Sequence, residues 1–420
     1  MTEKSLLELS DAILRGETDI TDHHPFRPSN QLEEVGDGVA FVESFANVAA
    51  LSTPDGLCLV DTGSVFAAPA IHKAVRSWSS DRATTAVYTH GHIDHVFGTA
   101  AFEEEGPMRV IGHDGIDPRF DRYRKTAGYN AVINQRQFQA PGLKWPLEYR
   151  RPDVTYSDRL DLDLAGVAVE LHHARGETDD HTWVWVPERR TLCTGDLIIW
   201  CTPNAGNPQK VQRYAEDWAV ALRTMAALGP ELLLPGHGLP IAGADNVRMV
   251  LLDSATMLES LAAQTLALMN EGARLNDIIH TVRPPADLIE KPYLRPIYDD
   301  PEFIVRNLWR LYGGWYDGNP AELKPAKLSA LAIEVATMAG GADVLARRAI
   351  ELASSGTDDD LRLAGHLAEY AALAAPDSGS THRARAEVFR LRGEAEPSLM
   401  AKGVFRWAES ESERRADELK

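Results

Sequence analysis

The seven residues Thr89-His90-Gly91-His92-Ile93-Asp94-His95 set three imidazoles and a carboxylate into a short turn directly behind the apolar run Thr84 to Tyr88. Histidine and aspartate packed this closely mark a candidate site rather than an ordinary solvated loop. Neutral imidazole nitrogen and carboxylate oxygen are the donors that a borderline cation such as zinc takes. His90 and His92 alternate, as the end of a strand permits, whereas Asp94 and His95 are adjacent and splay in different directions on a turn. Such a loop can serve two metals. It also constrains the fold, because other segments must bring their own ligands to the end of this strand.

Three further strand ends carry such residues. The turn Arg175-Gly176-Glu177-Thr178-Asp179-Asp180-His181 lies between the strand-like runs VAVELHHA and TWVWVP, TLCTGDLII holds Gly195-Asp196 near its end, and Leu232 to Leu234 leads into Pro235-Gly236-His237-Gly238. Open α/β sheets place their sites at the C-terminal ends of strands, which is where all four groups fall. Asp61, closing the run GLCLVDT, is read either as a hydrogen-bond partner that orients the metal loop or as a simple turn aspartate. His113 at the end of VIGH reads as structural. His172 and His173 point to opposite faces of a strand, so at most one approaches the metals, and both read as supporting residues. His181 is an alternative ligand to Glu177. His23 and His24, in the leader, read as surface residues.

Around this centre, VAFVES, FANVAAL and GLCLVDT are apolar or alternating runs that predict strands, with a hairpin turn at Pro54-Asp55-Gly56. Helices are predicted over Ala67 to Trp78 and Val96 to Glu105. From about Asp245 the texture becomes helical: Val247 to Met269 is a long amphipathic helix, and from Ala321 the chain is rich in Ala, Leu, Glu and Arg at helical spacing. The tail AESESERRADELK is expected to fray. At 420 residues two or three domains are expected. The divisions expected are a leader over 1–35, a metal-binding domain over 36–243 and a helical domain over 244–420.

A net charge of -19, from 43 basic and 62 acidic residues, argues against a nucleic-acid or anionic-membrane binder. It does not forbid an anionic substrate, because a metal centre supplies positive charge locally. No window of about 18 apolar residues exists, so no membrane span is expected. The leader lacks the features of a signal peptide, and the three cysteines, Cys58, Cys193 and Cys201, fall short of a disulfide framework, so a cytoplasmic location is expected. One basic segment stands out against the acidic background. In Arg119 to Phe138, Arg119, Arg122, Arg124, Lys125 and Arg136 are interleaved with Tyr123, Tyr129 and Asn130. It is read either as a solvated helix or as a surface facing an anionic substrate group, for which guanidinium forks are suited.

Taken together, THGHIDH, the Glu177 turn, TGD and PGHG resemble the metallo-β-lactamase superfamily over about Gly36 to Gly243. The resemblance implies an α/β fold, the αββα sandwich, followed here by an all-α domain. It implies two zinc ions: His90 and His92 at the first, Asp94, His95 and His237 at the second, Asp196 bridging them. Most of the superfamily has a histidine where this chain has Glu177, in the place of the last residue of an H-x-x-G-H turn. A glutamate ligand there resembles the alkyl sulfatase branch, as does the whole of HARGETDDHTWVWVPERRTLCTGD, although Asp196 replaces that branch's usual glutamate. YGGWYDGNPAEL resembles part of the alkyl sulfatase dimerisation domain, which implies a homodimer through the helical half. The chain is expected to lack the further sterol-carrier-like domain of the long sulfatases.

The activity implied is hydrolysis of a small-molecule organic (alkyl) sulfate ester, with zinc-held hydroxide as the nucleophile. Catalytic roles fall to Asp94 and His181, with His181, Lys210 or Tyr129 as the source of a proton for a leaving alkoxide. Candidate substrate contacts are Tyr129, Asn130, Arg136 and, in the loop PNAGNPQKVQR, Asn204, Asn207, Lys210 and Arg213. Two other functions are weighed: hydrolysis of a lactone or thioester by the same metals, and a helical interaction protein with a vestigial metal domain.

Overall fold

The structure, a computed structural model, describes residues 4–420, so the first three residues of the predicted leader helix lie outside it. The chain forms two compact units: the described residues up to Ala127 together with Trp145–Gly314, and Gly128–Lys144 together with Trp315–Lys420.

The first unit is built on two sheets. One runs in chain order, β1 (Leu32–Gly36), β2 (Val39–Val42), β3 (Val48–Thr53), β4 (Gly56–Val60), β5 (Ala83–Val87), β6 (Arg109–His113) and β7 (Val154–Tyr156). The other holds β8 (Arg159–Leu164), β9 (Val167–His173), β10 (Thr182–Val186), β11 (Thr191–Gly195), β12 (Leu232–Pro235) and β13 (Ile241–Ala242), again in chain order across the sheet. The period-2 alternation of a strand explains why β2 to β4 read as nearly continuous apolar runs. Ala40, Val42, Val48, Ala50, Leu57 and Leu59 pack outward against Ile71, Val75, Ile116 and Phe120 of two covering helices. The intervening Phe41, Ala49 and Val60 face Cys193 and Leu234 of the second sheet. Helices Ala215–Ala227 and Ala244–Asn270 lie on the other side of that second sheet, which completes an αββα sandwich.

The units divide elsewhere than at the 243/244 boundary expected from the sequence. Helix Ala244–Asn270 buries Val247, Val250, Leu251, Leu258 and Leu261 and packs on helix Ala215–Ala227, and helix Pro301–Gly313 packs on it in turn. The residues expected to form a separate leader are also integral. Leu6 to Leu14 is a helix started by a Ser5/Glu8 capping box, and Glu43, 1% exposed, accepts from the Ser29 backbone N–H and meets His23 Nε2 at 2.7 Å. His23 and His24 are thus half-buried rather than surface residues.

The second unit is helical. Helices Ala342–Ala353, Asp358–Ala374, Gly379–Ala395 and Leu399–Glu418 follow one another as packed neighbours over a core rich in alanine, including Ala349, Ala353, Ala364, Ala368 and Ala371. Gly403 lets helix Leu399–Glu418 approach helix Ala127–Phe138 so closely that a Cβ there would lie 2.2 Å from the Gln137 carbonyl oxygen. Gln139 Nε2 then donates to the Gly403 carbonyl at 2.6 Å. The charged tail, expected to fray, is the end of the last helix. Buried Ser412 and Ala416, and Arg415 paired with Asp377 at 2.8 Å, hold it. Among the described residues no single helix is long and apolar enough to cross a membrane, and Cys58, Cys193 and Cys201 are free and buried.

Candidate metal centre

Two groups of side chains converge at the ends of β5, β9, β11 and β12. His90, His92, Glu177 and Asp196 bring ligand atoms within 4.8 Å of one another, and so do Asp94, His95 and His237. These are the seven residues singled out from the sequence as ligands. Asp196 faces both groups: Oδ2 lies 3.7 Å from His90 Nε2, while Oδ1 lies 3.2 Å from His95 Nε2 and 3.3 Å from His237 Nε2. His237 Nε2 is also 3.7 Å from Asp94 Oδ2, and His92 Nδ1 is 3.7 Å from Glu177 Oε1.

Supporting residues fix these directions. Asp61, at the end of β4, accepts from Thr89 N and Thr89 Oγ1, each at 2.7 Å, and its Oδ2 meets His95 Nδ1 at 2.7 Å. His95 therefore presents Nε2 to the site, the arrangement by which a carboxylate orients a metal-binding imidazole. Of the two readings given for Asp61, the orienting one is correct. On the opposite side Asp180 accepts from Gly91 N at 3.0 Å and from Arg119 Nε at 2.8 Å. Arg119, 3% exposed, is spent on this pair and on Asp179. The Phe45 carbonyl meets His237 Nδ1, and Asn47 Nδ2 donates to the Pro235 and Gly238 carbonyls at 3.0 and 2.9 Å. Phe26 of the leader stacks on Tyr298 at 3.9 Å and covers the His237 ring at 4.6 Å. A Cβ at Gly236 would sit 2.1 Å from Asp196 Oδ1, so only glycine lets the His237 turn come this close.

Asn47 and Asp180 were not singled out by the sequence reading. Asp180 had a local signal, an acidic residue in the same turn as Glu177. Asn47 had none, because its partners lie across the sandwich.

The donor set fits divalent cations. His95 Nε2, Asp196 Oδ1 and Glu177 Oε2 are buried without a hydrogen-bond partner, as free metal-ligand lone pairs would be. Burial first of all holds His90 and His92 well below the ordinary histidine range, so both present neutral nitrogen. Burial would lower His95 too, but Asp196, Asp61 and Asp94 outweigh it and hold it well above that range. Burial pushes Glu177 well above the usual carboxylate range against the pull of Arg213, with Asp196 and Asp94 adding to the rise. Glu177 and Asp196 are buried carboxylates with Asp94 beside them, and metal ions held at the two groups would supply the positive charge they call for.

The remaining candidates divide between the units. Tyr129, Asn130 and Arg136 lie in the second unit. Tyr129 is exposed, Asn130 is buried and accepts from Asn134 Nδ2 at 3.0 Å, and Arg136 borders a concavity with Glu369, Arg385 and Trp407. Asn204, Asn207, Lys210 and Arg213 lie in the first, on a loop seated by Asp299, which accepts from Gly206 N at 2.6 Å, and by Asn307, which donates to the Ala205 carbonyl at 2.9 Å. Asn204 Nδ2 donates to Glu177 Oε1, and Asn207 Oδ1 accepts from Gln209 N at 3.1 Å. Lys210 is half-buried, with Arg122 among the charges acting on it. His181 is fully buried, stacked on His90 at 5.0 Å and outside both ligand groups. His172 stacks on Trp183 at 4.0 Å and His173 on His113 at 3.8 Å, away from ligand roles.

Comparison with known proteins bears on this geometry. Residues 42–237 match the metallo-beta-lactamase superfamily, and residues 274–415 match the alkyl sulfatase dimerisation family. The first match makes residues 42–237 similar to the metallo-β-lactamase superfamily, and the relatives of the chain indicate a metal-dependent hydrolase. The second match makes residues 274–415 similar to the dimerisation region of alkyl sulfatases. It is 26% identical over 377 residues to a linear primary-alkylsulfatase of Pseudomonas sp. (strain ATCC 19151), covering 83% of this chain and 70% of that protein. To an (R)-specific secondary-alkylsulfatase of Pseudomonas sp. it is 25% identical, covering 83% and 57%. The solved structure of a stereoselective inverting sec-alkylsulfatase from Pseudomonas sp. superposes with a TM-score of 0.81 at 22% identity, over 92% of this chain and 66% of that one, which shows the shared fold. The chain spans between 52 and 70% of the length of four curated alkyl sulfatases that it matches.

Proposed function

We propose that the protein hydrolyses small organic sulfate esters, R–O–SO3⁻ + H2O giving ROH and HSO4⁻, with two zinc ions as cofactors. The observation that carries this reading is Glu177, a carboxylate among the ligands of the first group, in a chain that also matches the alkyl sulfatase dimerisation family. His90, His92 and Glu177 would hold one ion and Asp94, His95 and His237 the other, with Asp196 facing both groups. Ions held there would supply Lewis acidity for the ester oxygens and for lowering the pKa of water.

The chain's own residues do the rest. Asp61 and Asp180 hold the loop in register, which is the positioning part of catalysis. Lys210 and Arg122 supply the positive charge that meets the sulfate group. Burial draws the Lys210 ammonium down to about 8, with Arg213 adding to the fall and Asp94 opposing it. That value suits a group which holds a proton for a leaving alkoxide. His181 does not suit that role: burial takes it down to about 3, so at neutral pH it is a neutral imidazole whose one N–H is too weak an acid to serve. A homodimer is part of the proposal. Leu328, Leu331 and Met338, at 61, 39 and 74% exposure, leave an apolar helix face within the matched dimerisation region.

The test is a screen of zinc-loaded protein against alkyl sulfates, lactones, thioesters and phosphodiesters, with released sulfate measured by ion chromatography. Sulfate release that a chelator abolishes is expected. No release from any alkyl sulfate, with turnover of a lactone or thioester, would replace this reading with a carboxylic substrate.

A further inference from the structure

Arg213 stands out among the candidate substrate contacts as the buried cation. Its side chain is 1% exposed, Nη1 donates to the Glu177 carbonyl oxygen, and Nη2 lies 3.2 Å from Glu177 Oε1. Tyr214 N, the next residue, donates to the Gly176 carbonyl at 3.0 Å. Asn204 Nδ2 donates to the same Glu177 Oε1, which leaves Oε2 without a hydrogen-bond partner. Arg213 Nε and Nη2 are closed to solvent and make no hydrogen bond, so Nη2 meets Glu177 Oε1 as an ion pair and a substrate oxyanion does not reach either atom without movement of the loop. A buried carboxylate is costly without an opposite charge, and a planar guanidinium can grip a carbonyl and a carboxylate at once where an ammonium cannot.

We propose that Arg213 is a positioning residue for the metal centre: it anchors the 176–177 turn, neutralises Glu177 and aims its free oxygen at the first metal, which lets an anionic ligand stand in a buried site where a neutral imidazole would need no partner. This rests on the ligand role of Glu177 proposed above. Arg213 and Glu177 then form one unit, and their substitutions are not additive. The same geometry separates Arg213 from Lys210, whose ammonium is left for the substrate.

The experiment is competition of the full-length chain with a chromophoric chelator for zinc, on wild type, Arg213→Gln, Arg213→Lys, Glu177→His and the double variant E177H/R213Q. Second-sphere losses run to about 10–100-fold in metal affinity, and a loss of that size is expected for one zinc equivalent in Arg213→Gln, with the other unchanged. Arg213→Lys should recover only part of it. In the Glu177→His background the further loss on removing Arg213 should shrink to within about twofold, because the imidazole needs no counter-charge. An equal loss in both backgrounds overturns the proposal. So does unchanged zinc affinity in Arg213→Gln accompanied by a raised KM for an alkyl sulfate, which would make Arg213 a substrate contact. If Arg213→Gln alone does not fold, a folded, zinc-binding double variant supports the coupling and an unfolded one overturns it. Wild-type protein that takes up no zinc would overturn the metal reading itself, a result distinct from intact binding without coupling.

Discussion

His92 and Asp61 separate two kinds of residue at this centre, those whose atoms belong to the ligand groups and those that aim them. Substituting His92→Ala removes a ligand atom of the first group, so activity should fall to background and bound zinc by about one equivalent, read by metal analysis. Circular dichroism should show the helical second unit intact. Asp61→Asn leaves every ligand in place but takes away the carboxylate that holds Thr89 and His95 Nδ1. A loss of about 10–100-fold in zinc affinity at the second group is expected, measured by chelator competition. Lys210 sets a pH dependence. Its charged form is the one that meets an anion, so KM for an alkyl sulfate should be low below about 8 and rise as the pH passes through that value. Bound dications push the same way and shift the rise to lower pH. Lys210→Met should raise KM throughout and flatten the profile.

Element by element, strand ends and turns do the positioning, and glycines set how closely elements approach. β4 ends in Asp61, β5 leads to His90, β11 to Asp196 and β12 to His237, so four strands of two sheets deliver to one place. In the second unit Gly403 sets the seat of helix Ala127–Phe138. Gly403→Ala should cost about 1–3 kcal/mol through overpacking, seen as a lower denaturation midpoint, while zinc content stays at the wild-type level. A wild-type midpoint would show that the Gln137 backbone yields more easily than its 2.2 Å approach implies. The strand predictions over 39–60 stand because both faces of those strands are buried and the runs are apolar throughout. The fraying predicted for the tail was wrong, since its charges pair with Asp377 and along its own helix while Ser412 and Ala416 are buried.

At the scale of the whole molecule, the proposed metals and the proposed second copy would each act on a different unit. Zinc held by the folded first unit, with free metal about a thousandfold above Kd, would contribute about 4 kcal/mol of stability. Chelation should therefore lower the melting transition that carries the tryptophan signal of Trp200 and Trp218, both fully buried in that unit. Replacing Leu331 and Met338 together by glutamate should convert a dimer to monomer in sedimentation velocity, since two charges would sit on the exposed helix face. By itself the sequence singled out the seven residues that converge in the two groups, because metal chemistry restricts residue type, and strand-end turns leave such residues in short, recognisable clusters. It determined the αββα strands through their apolar runs as well. Only the tertiary structure decided what those clusters lean on. That Asn47 holds the His237 turn, that Arg119 is consumed by Asp180, that Tyr129, Asn130 and Arg136 belong to the helical unit, and that Arg213 grips Glu177 all depend on residues distant in sequence. Pairings of that kind leave no local periodicity or spacing, so they become visible only when the chain has folded back on itself.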